Sequence, residues 1–437
     1  MPGSAPSATV PTASGERLRV AMVIQRFRPY FSGQGVQVEG LCRALARRGV
    51  DCTVITARRV ADGPVEGRSA PAREQADDYS VRRLRCDVPG FPFTARDTRW
   101  WTPVFGLRTY GALLGLRGAV DVIHVHGLTD GLYGAWRFAR RARLPIVLEL
   151  TLAGTDDPLA MRANPQRFQR WRRSMYDRCD GYVAMSAALA SRYREAGLPI
   201  ERLRVIPQGV DTVRFAPGDR RAARATLGLD GSSGPVAVFT GSLIERKGID
   251  LLMRAWARIH AELPDARLLL VGKNRFPGEP EVEGALDAAF RALPEPAKAS
   301  VLAVGLVPDV ERYLQAADVF LFPSRREGFG TAIIEAMACG LPCVIGELPG
   351  ISDFILERGA AQVSAAGGAP PPDGFVVPQE SVERLSSVTL ELLRSPALRA
   401  SVGEAARARA ATAFDMEQIA ASYVAWYGMC RAAAQAA

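Results

Sequence analysis

Lysine is scarce in this chain of 437 residues. It occurs only at Lys247, Lys273 and Lys298, although Lys and Arg together number 55. Lys273 and Lys298 are expected on the solvated surface, where lysine usually lies. Lys247 differs because it stands in a short basic segment between Gly241 and Gly248. It is therefore the lysine for which a function is predicted.

Paired cysteine motifs are also missing. The cysteines are scattered, odd in number and free of any Cys-x-x-Cys pair: Cys42, Cys52, Cys86, Cys179, Cys339, Cys343 and Cys430. This pattern predicts a reducing compartment without structural disulfides or a cysteine zinc site. The chain also lacks a Walker loop, a serine nucleophile elbow and a His-Glu-x-x-His motif, which argues against the enzyme classes that depend on them.

Long apolar runs are absent, since none approaches the roughly 18 residues that a membrane-spanning helix needs. Residues 1–17 are rich in Pro, Ser and Ala and lack the apolar stretch of a signal peptide. We therefore expect a disordered tail there. The sequence predicts a cytoplasmic protein, and any membrane contact is expected to be peripheral, on the inner face.

Acidic residues are outnumbered, which gives a formal net charge of +9 and a pI of about 9.4. This charge favours anionic partners such as nucleoside diphosphates, acidic glycans or phospholipid surfaces. Nucleic acid is not expected, because zinc-finger spacing, basic heptads and RNA-recognition signatures are missing. Two basic, aromatic segments, Arg99 to Trp101 and Arg167 to Tyr176, are candidate lipid-headgroup contacts. Helices with a packed apolar face and a solvated basic face are the alternative for both.

Predicted strands alternate with helices almost throughout, which indicates parallel sheets covered by helices. The length exceeds what one hydrophobic core supports. We predict an α/β fold of two Rossmann-like, doubly wound domains. The expected divisions are a tail (1–17), an N-terminal domain (18–212), a C-terminal domain (213–413) and a helix returning to the N-terminal domain (414–437).

The expected strands end where candidate loops begin. Residues 58–80 and 363–373 are predicted loops, and residues 208–218 are the predicted linker. The predicted strands are Leu18–Ile24, Cys52–Thr56, Val81–Arg85, Asp121–Val125, Pro145–Leu150, Gly181–Met185, Leu203–Pro207, Pro235–Thr240, Arg267–Gly272, Ser300–Gly305, Asp318–Phe322, Cys343–Gly346 and Gly374–Pro378.

Two glutamates eight positions apart form the most informative pattern in the chain. Glu327 opens a glycine-containing turn after an apolar strand, and Glu335 lies two turns into the following helix. In open α/β sheets, ligands bind in the crevice at the carboxyl ends of the strands. Backbone N–H groups at a helix start can hold a diphosphate, while carboxylates accept hydrogen bonds from sugar hydroxyls. The segment therefore predicts a nucleotide-sugar site, and solvated surface acids are the alternative.

The basic turn Gly241-Ser242-Leu243-Ile244-Glu245-Arg246-Lys247-Gly248 also lies between a strand and a helix. Cations in such a turn can neutralise a diphosphate leaving group. Alone, the turn is equally compatible with an exposed basic loop. Together with the two glutamates in the same domain, it favours phosphate binding.

Candidate residues in the N-terminal domain give weaker signals. The loop Gly33-Gln34-Gly35 lacks the third glycine of a dinucleotide fingerprint. His124 and His126 lie on one face of a strand, but no acidic or cysteine partner is evident nearby, so metal is not expected. His126 could instead face a cleft between the domains or lie in the core. Thr151 and Asp157, after the next strand, are candidate acceptor contacts or simply turn residues.

These motifs resemble those of the retaining GT-B glycosyltransferases of family 4, over most of residues 18–430. The resemblance is strongest in the segments GSLIERKG, ADVFLFPSRREGFGTAIIEAMACGLPCV and VIPQGVDTVRFAP. It implies two lobes, with the nucleotide sugar mainly in the second and the acceptor mainly in the first. It also implies transfer that keeps the anomeric configuration and generally needs no metal or other cofactor.

The resemblance also implies roles for individual residues. Lys247 would contact the phosphates, Glu327 the donor sugar and Glu335 the ribose, and the backbone near Pro308 would influence base choice. The implied catalytic residues are Lys247, Glu327 and Arg246. The implied nucleotide-sugar contacts are Gly33, Gly35, Gly241, Ser242, Lys247, Pro308, Glu327, Gly328, Phe329, Gly330, Thr331 and Glu335.

Three positions depart from the family pattern. Ser242 stands where arginine is usual, and Arg246 would point elsewhere on a regular turn. Residues 151–154 lack the histidine that the family often has, and Gln208 replaces asparagine. The leading hypothesis is glycosyl transfer from a UDP- or GDP-sugar to a glycan, lipid-linked or small hydroxylated acceptor. The alternatives are a catalytically weak nucleotide-sugar-binding subunit and a GT-B epimerase or phosphorylase.

Overall fold

The computed structural model describes residues 17–29, 32–58, 70–86, 98–127, 131–152, 157–163, 173–229, 234–273, 285–357 and 372–436. The chain divides into two compact units. Unit 1 comprises Met1–Gly209 and Met416–Ala437, and unit 2 comprises Val210–Asp415. The chain therefore leaves unit 1 once and returns to it for its last helix.

Unit 1 contains one sheet, described in the order β3-β4-β2-β1-β5-β6-β7-β8. All of its strand pairs are parallel except β3 with β4. The strands are β1 (Leu18–Val23), β2 (Val50–Arg58), β3 (Arg73–Gln75), β4 (Tyr79–Arg85), β5 (Val122–His126), β6 (Ile146–Leu150), β7 (Gly181–Ala184) and β8 (Leu203–Val205). Strands β5 to β7 are buried at every position, as expected when helices cover both faces of a parallel sheet.

The helices of unit 1 include a last one that is distant in sequence. They are α1 (Gly33–Arg47), α2 (Thr98–Leu114), α3 (Gly131–Ala142), α4 (Pro158–Ala163), α5 (Ala187–Glu195) and α15 (Met416–Ala436). Helix α15 places Ile419, Trp426 and Tyr427 in the same core cluster as β1 and α1. Burying such side chains contributes roughly 1.5–3 kcal/mol each. A Cβ on Gly181 would lie 2.6 Å from Cys430 Sγ, so glycine lets β7 approach α15 closely.

Unit 2 contains an all-parallel sheet, described in the order β11-β10-β9-β12-β13-β14. Its strands are β9 (Val236–Thr240), β10 (Arg267–Val271), β11 (Val301–Gly305), β12 (Val319–Phe322), β13 (Cys343–Gly346) and β14 (Phe375–Val377). Its helices are α6 (Arg220–Thr226), α7 (Ile249–Glu262), α8 (Ala285–Arg291), α9 (Glu295–Ala299), α10 (Val310–Ala316), α11 (Thr331–Ala338), α12 (Ser352–Ile355), α13 (Val382–Arg394) and α14 (Pro396–Ala413).

The predicted fold class is confirmed, and most predicted strands differ from the observed ones by one or two residues at an end. One strand was missed. Strand β3 lies in the predicted loop 58–80, because its residues Arg-Glu-Gln show no apolar pattern, and β4 begins within that loop at Tyr79. Helix α2 contains Arg99 to Trp101, for which a helix was the stated alternative to a lipid-headgroup contact. The loop 363–373 lies almost wholly outside the described residues. All seven cysteines are buried and free. No helix in the described ranges is long and apolar enough to cross a membrane.

Candidate functional site

The site in unit 2 lies where the strand order changes direction. Strand β9 pairs with β10 on one side and with β12 on the other, so the connections after β9 and β12 diverge. Such a switch point opens a crevice at the carboxyl ends of the two strands. The basic turn follows β9 and the glutamate turn follows β12, so topology brings together two segments that are about 80 residues apart.

The basic turn depends on glycines. Gly241 has φ +140° at the end of β9, and a 3₁₀ turn then spans Glu245–Lys247. Gly248 has φ +73°, and a Cβ at this position would lie 2.0 Å from Pro323 O. Only glycine can therefore bring this backbone against the loop that follows β12.

Lys247 and Glu327 meet directly. Lys247 Nζ lies 2.6 Å from Glu327 Oε1, and Ser324 Oγ donates to the same carboxylate oxygen at 2.5 Å. The ammonium also lies 5.1 Å from the centre of the Phe322 ring. The side chains are only 14% and 7% exposed. Burial lowers the pKa of Lys247, while Glu327 acts in the opposite direction. The site therefore holds a largely buried ion pair beside accessible backbone.

Arg246 lies closer to this pair than predicted. Its guanidinium donates to Arg326 O at 2.5 Å and lies 3.9 Å from Glu327 Oε2. The expectation that it points elsewhere is wrong, because the tight 3₁₀ turn directs both cations toward the glutamate loop. Arg246 thus adds a second positive charge beside Glu327, in the same turn in which Ser242 replaces the usual arginine.

The glutamate turn ends in a helix start without a side-chain cap. Gly330 is the N-cap residue of α11, with φ +96°, and it has no side chain that could accept from the N–H groups of the first turn. Phe329 is 2% exposed and packs edge-on against Phe354 and Phe414. Its ring anchors the turn, which leaves only backbone at this position and at Gly328 to contact a ligand. An uncapped helix start suits an anion.

Glu335 lies among a different group of charges, and no contact joins it to Lys247 or Glu327. Its carboxylate makes no hydrogen bond or ion pair with the described residues. Burial raises its pKa to about 7, partly opposed by Arg214 and reinforced by Glu311. Arg214 in turn binds Glu311 Oε2 at 2.8 Å and donates to Pro308 O at 2.6 Å. Glu335 is thus a partly buried acid with unused acceptor capacity, next to the segment predicted to face the base.

A supporting ion-pair network was not predicted. Arg325 binds Asp250 in a bidentate pair, with N–O distances of 2.7 and 2.8 Å, and binds Glu380 at 2.5 Å. Its guanidinium also donates to Glu245 O at 2.6 Å. Arg325 thereby joins the glutamate loop to the basic turn and to α7. Bidentate pairs of this kind hold geometry better than single contacts.

Unit 1 has its own polar cluster at the carboxyl ends of β5 and β6. Gly33 and Gly35 lie in the first turn of α1 rather than in a loop, because Ser32 caps that turn by accepting from Gly35 N at 2.9 Å. A Cβ on Gly127 would lie 3.3 Å from Thr151 Oγ1 and 3.5 Å from Gln34 Nε2. The predicted residues Gly35 and Thr151 therefore belong to adjoining parts of one edge.

His126 does not reach a free surface. It is 1% exposed, and its Nδ1 lies 3.1 Å from Glu149 Oε2, which also accepts from Tyr423 of α15 at 3.0 Å. His124 contacts Tyr427 at 2.7 Å. The inference that no acidic partner lies nearby is wrong, because the neighbouring strand β6 supplies Glu149. Ligand atoms of His124, His126 and Glu149 lie within 4.8 Å of one another, a spacing that could hold a metal, and Glu149 Oε2 already makes two hydrogen bonds.

Asp157 is also not an acceptor contact here. It is fully buried, accepts from the backbone of Leu159 and Ala160, and pairs with Arg192 at 2.9 Å. It therefore caps α4. Of the two basic, aromatic segments, the side chains of Arg99 to Trp101 and residues 164–172 lie outside the described residues. Tyr176 is 1% exposed and belongs to the core.

Comparison with known proteins assigns the family. The model described as Glycosyltransferase Family 4 matches residues 31–214, and the model described as glycosyl transferases group 1 matches residues 234–395. A D-inositol 3-phosphate glycosyltransferase of Acidothermus cellulolyticus is 30% identical over 78% of this chain and 77% of its own length. The chain belongs to glycosyltransferase family 4. This confirms the family resemblance and a glycosyltransferase function at the level of the enzyme class.

A second relative is more similar over a shorter stretch. The GDP-mannose-dependent monoacylated alpha-(1-6)-phosphatidylinositol monomannoside mannosyltransferase of Corynebacterium glutamicum is 33% identical over 46% of this chain, and the match spans only half of that enzyme. Its substrates are therefore not assigned to this family 4 chain.

Solved structures show the GT-B fold. Sucrose-phosphate synthase of Thermosynechococcus elongatus matches 95% of this chain and 100% of its own with a TM-score of 0.74 at 23% identity. Anabaena Alr3699/HepE in complex with UDP-glucose matches 94% of this chain and 100% of its own with a TM-score of 0.69 at 19% identity. At such identities the likeness shows the fold alone.

Proposed function

We propose that this family 4 member is a retaining hexosyltransferase. It moves a sugar from a UDP- or GDP-sugar to a hydroxyl of a glycan, lipid-linked or small-molecule acceptor. The observation that carries the proposal is the convergence of Lys247 and Glu327 at the switch point of unit 2. A structural neighbour solved with UDP-glucose and a relative named as GDP-mannose-dependent support a nucleotide-sugar donor without choosing its base.

The residues of unit 2 can divide the donor between them. The ammonium of Lys247, the guanidinium of Arg246 and the uncapped start of α11 offer positive potential to a diphosphate. Glu327 can accept from sugar hydroxyls once its lysine turns to the phosphate, and Glu335 can accept from ribose hydroxyls. Positive groups placed where the leaving group gains charge stabilise the transition state.

Retention requires that both bond changes occur on one face of the sugar. The bond between the anomeric carbon and the diphosphate oxygen breaks, and the acceptor oxygen bonds to the same carbon from the same side. The acceptor proton passes to the departing phosphate oxygen. Because the cations Lys247 and Arg246 can balance the leaving charge, we propose that no metal or other cofactor is needed, and we expect chelator to leave transfer unchanged.

Substitutions at the ion pair test this proposal. We expect Lys247→Met and Glu327→Gln each to reduce transfer about 100- to 1000-fold, the loss typical of one missing transition-state contact. Glu245→Gln is the matched control, because Glu245 is an exposed acid of the same 3₁₀ turn. Transfer is measured with UDP- and GDP-sugars chosen by thermal-shift screening. Full activity in both variants would refute the assigned site.

The alternative of a catalytically weak binding subunit rests on two departures from the family pattern: Ser242, which leaves the phosphate turn without its usual arginine, and the missing histidine in residues 151–154. The position of Arg246, 3.9 Å from Glu327, weakens that alternative because a second cation is present. Donor binding by calorimetry, without transfer or donor hydrolysis across a broad acceptor panel, would favour the binding subunit instead.

A further inference from the structure

A broad groove in unit 1 has six arginines and no acid among the lining residues that the structure describes. Its volume is about 760 Å³, and its described lining comes from β2, β3, β4 and α2. Apolar and small side chains complete the wall, among them Leu107 and Tyr110. The basic lining residues are Arg58, Arg73, Arg82, Arg83, Arg85 and Arg108.

The strand register explains why the arginines cluster. Arg58 and Arg85 end the parallel strands β2 and β4 and lie opposite each other, and Arg73 lies opposite Arg82 across the antiparallel β3–β4 pair. Strand β2 is the immediate neighbour of β1, whose carboxyl end leads to Ser32 and α1. The end of the groove formed by Arg58 and Arg85 therefore lies at the carboxyl edge of the sheet, the edge at which α/β sheets bind ligands.

Three of these arginines form no ion pair with the residues that the structure describes. Arg83 is nearly buried and pairs with Glu74 at 2.7 Å. By contrast, Arg73, Arg82 and Arg108 form no ion pair within the part of the chain that the structure describes. Burial and the nearby Arg73 both lower the pKa of Arg82. Facing cations repel each other, so an anion in the groove would relieve an unfavourable arrangement.

We propose that this groove binds the phosphate group of the acceptor. Guanidinium groups recognise phosphate oxygens in bidentate pairs, and exposed Leu107 (65% exposed) offers an apolar surface beside them. A phosphate fills only part of the volume, which leaves room for the rest of the molecule. The inference rests on the proposed function and deepens it: the acceptor carries a phosphate ester, as a small molecule in solution or as a phospholipid headgroup.

Phosphate binding by variants tests the groove. The first probe is glycerol 3-phosphate, added with saturating UDP or GDP so that the phosphate contacts of unit 2 are occupied. We expect Arg73→Gln, Arg82→Gln and Arg108→Gln each to weaken binding about tenfold or more, the effect of losing one charged hydrogen bond. Arg117→Gln is the matched control, an exposed arginine outside the groove with the same change in charge. Arg73 and Arg108 are exposed, so two of the variants are expected to keep the native melting temperature.

A second probe separates the two sources of phosphate. Vesicles of phosphatidylcholine with and without phosphatidylglycerol are sedimented with wild type, Arg108→Gln and Arg117→Gln. Sedimentation that needs the anionic lipid and Arg108 identifies a headgroup, whereas binding of glycerol 3-phosphate alone identifies a small phosphorylated acceptor. The proposal is overturned if wild type binds neither probe, or if the groove variants bind both as well as Arg117→Gln does.

The donor site provides an independent readout. Groove variants are expected to keep the wild-type thermal shift with UDP- or GDP-sugars, since unit 2 is unchanged. If wild type binds glycerol 3-phosphate through the groove yet shows no donor binding or transfer, the proposed glycosyl transfer fails and the groove stands. If transfer is normal and the groove variants bind both phosphate probes as well as Arg117→Gln does, the groove proposal fails and the proposed glycosyl transfer is retained.

Discussion

Lowering the pH from 8 to 6 is expected to weaken binding of the nucleotide sugar about tenfold through Glu335. The ordinary pKa of the group is 4.5, and burial raises it to about 7. At that pKa the carboxylate is about nine-tenths ionised at pH 8 and about one-tenth ionised at pH 6. If only the ionised form binds the ribose well, the apparent affinity falls with the ionised fraction. Charged acceptors make hydrogen bonds about twice as strong as neutral ones.

Calorimetry with a UDP- or GDP-sugar measures this effect, because these diphosphates have no terminal phosphate group that titrates near neutral pH. Glu335→Gln is expected to remove most of the pH dependence, and so is a donor that lacks both ribose hydroxyls. Glu383→Gln, at an exposed acid of α13 in the same unit, should behave as wild type. A tenfold pH effect that persists in Glu335→Gln would refute the assignment.

The same pKa makes a prediction without ligand. Because the folded-state pKa lies above the unfolded value, wild type binds the extra proton only when folded, and it loses stability as the pH rises from about 4.5 to 7. The cost of the charged form is about 3 kcal/mol at most. The melting temperature of Glu335→Gln minus that of wild type should therefore be larger at pH 8 than at pH 5. The difference grows by about 2–4 °C for each kcal/mol. An equal difference at both pH values would contradict the raised pKa.

Two further substitutions test the framework. Gly248→Ala places a methyl group 2.0 Å from Pro323 O at φ +73°, so it should lower the melting temperature and abolish donor binding, whereas Gly428→Ala, in open space on α15, should be neutral. Glu149→Ala removes the acceptor shared by His126 and Tyr423 and should destabilise the protein by about 1–3 kcal/mol in denaturant titration. Met429→Ala, at an exposed position of α15, the helix that also holds Tyr423, should change the free energy of unfolding little. Equal losses of stability in Glu149→Ala and Met429→Ala would argue against a stabilising role of the buried cluster.

The sequence predicts the fold well because both sheets are mainly parallel and most of their strands are buried. A strand such as Val319–Phe322 must then be apolar throughout, and Pro323 marks its end. The antiparallel edge strand β3 follows no such rule, since its side chains are mostly exposed. Its pairing with β4 therefore cannot be recognised from an apolar pattern in its own residues.

The parts of the site that lie within short, recognisable segments could be predicted from the sequence. Lys247 and Glu327 each stand beside glycines at a strand end, and the meeting of the two follows from the strand order. Arg325 was missed because its partners Asp250 and Glu380 are 75 and 55 residues away. Glu149 was missed because it lies inside an apolar strand, and its partner Tyr423 is 274 residues later. Contacts at such separations leave no local pattern.

The return of α15 to the core of unit 1 fixes an order of maturation on the ribosome. Residues 210–415 are continuous, so unit 2 can fold as soon as that stretch has emerged. Unit 1 instead lacks Trp426, Tyr427 and the Tyr423 contact to Glu149 until translation has passed Cys430. Nascent domains usually mature from the amino end onward. Here the earlier-made domain is completed last, and the apolar surface that α15 covers stays exposed in the interval.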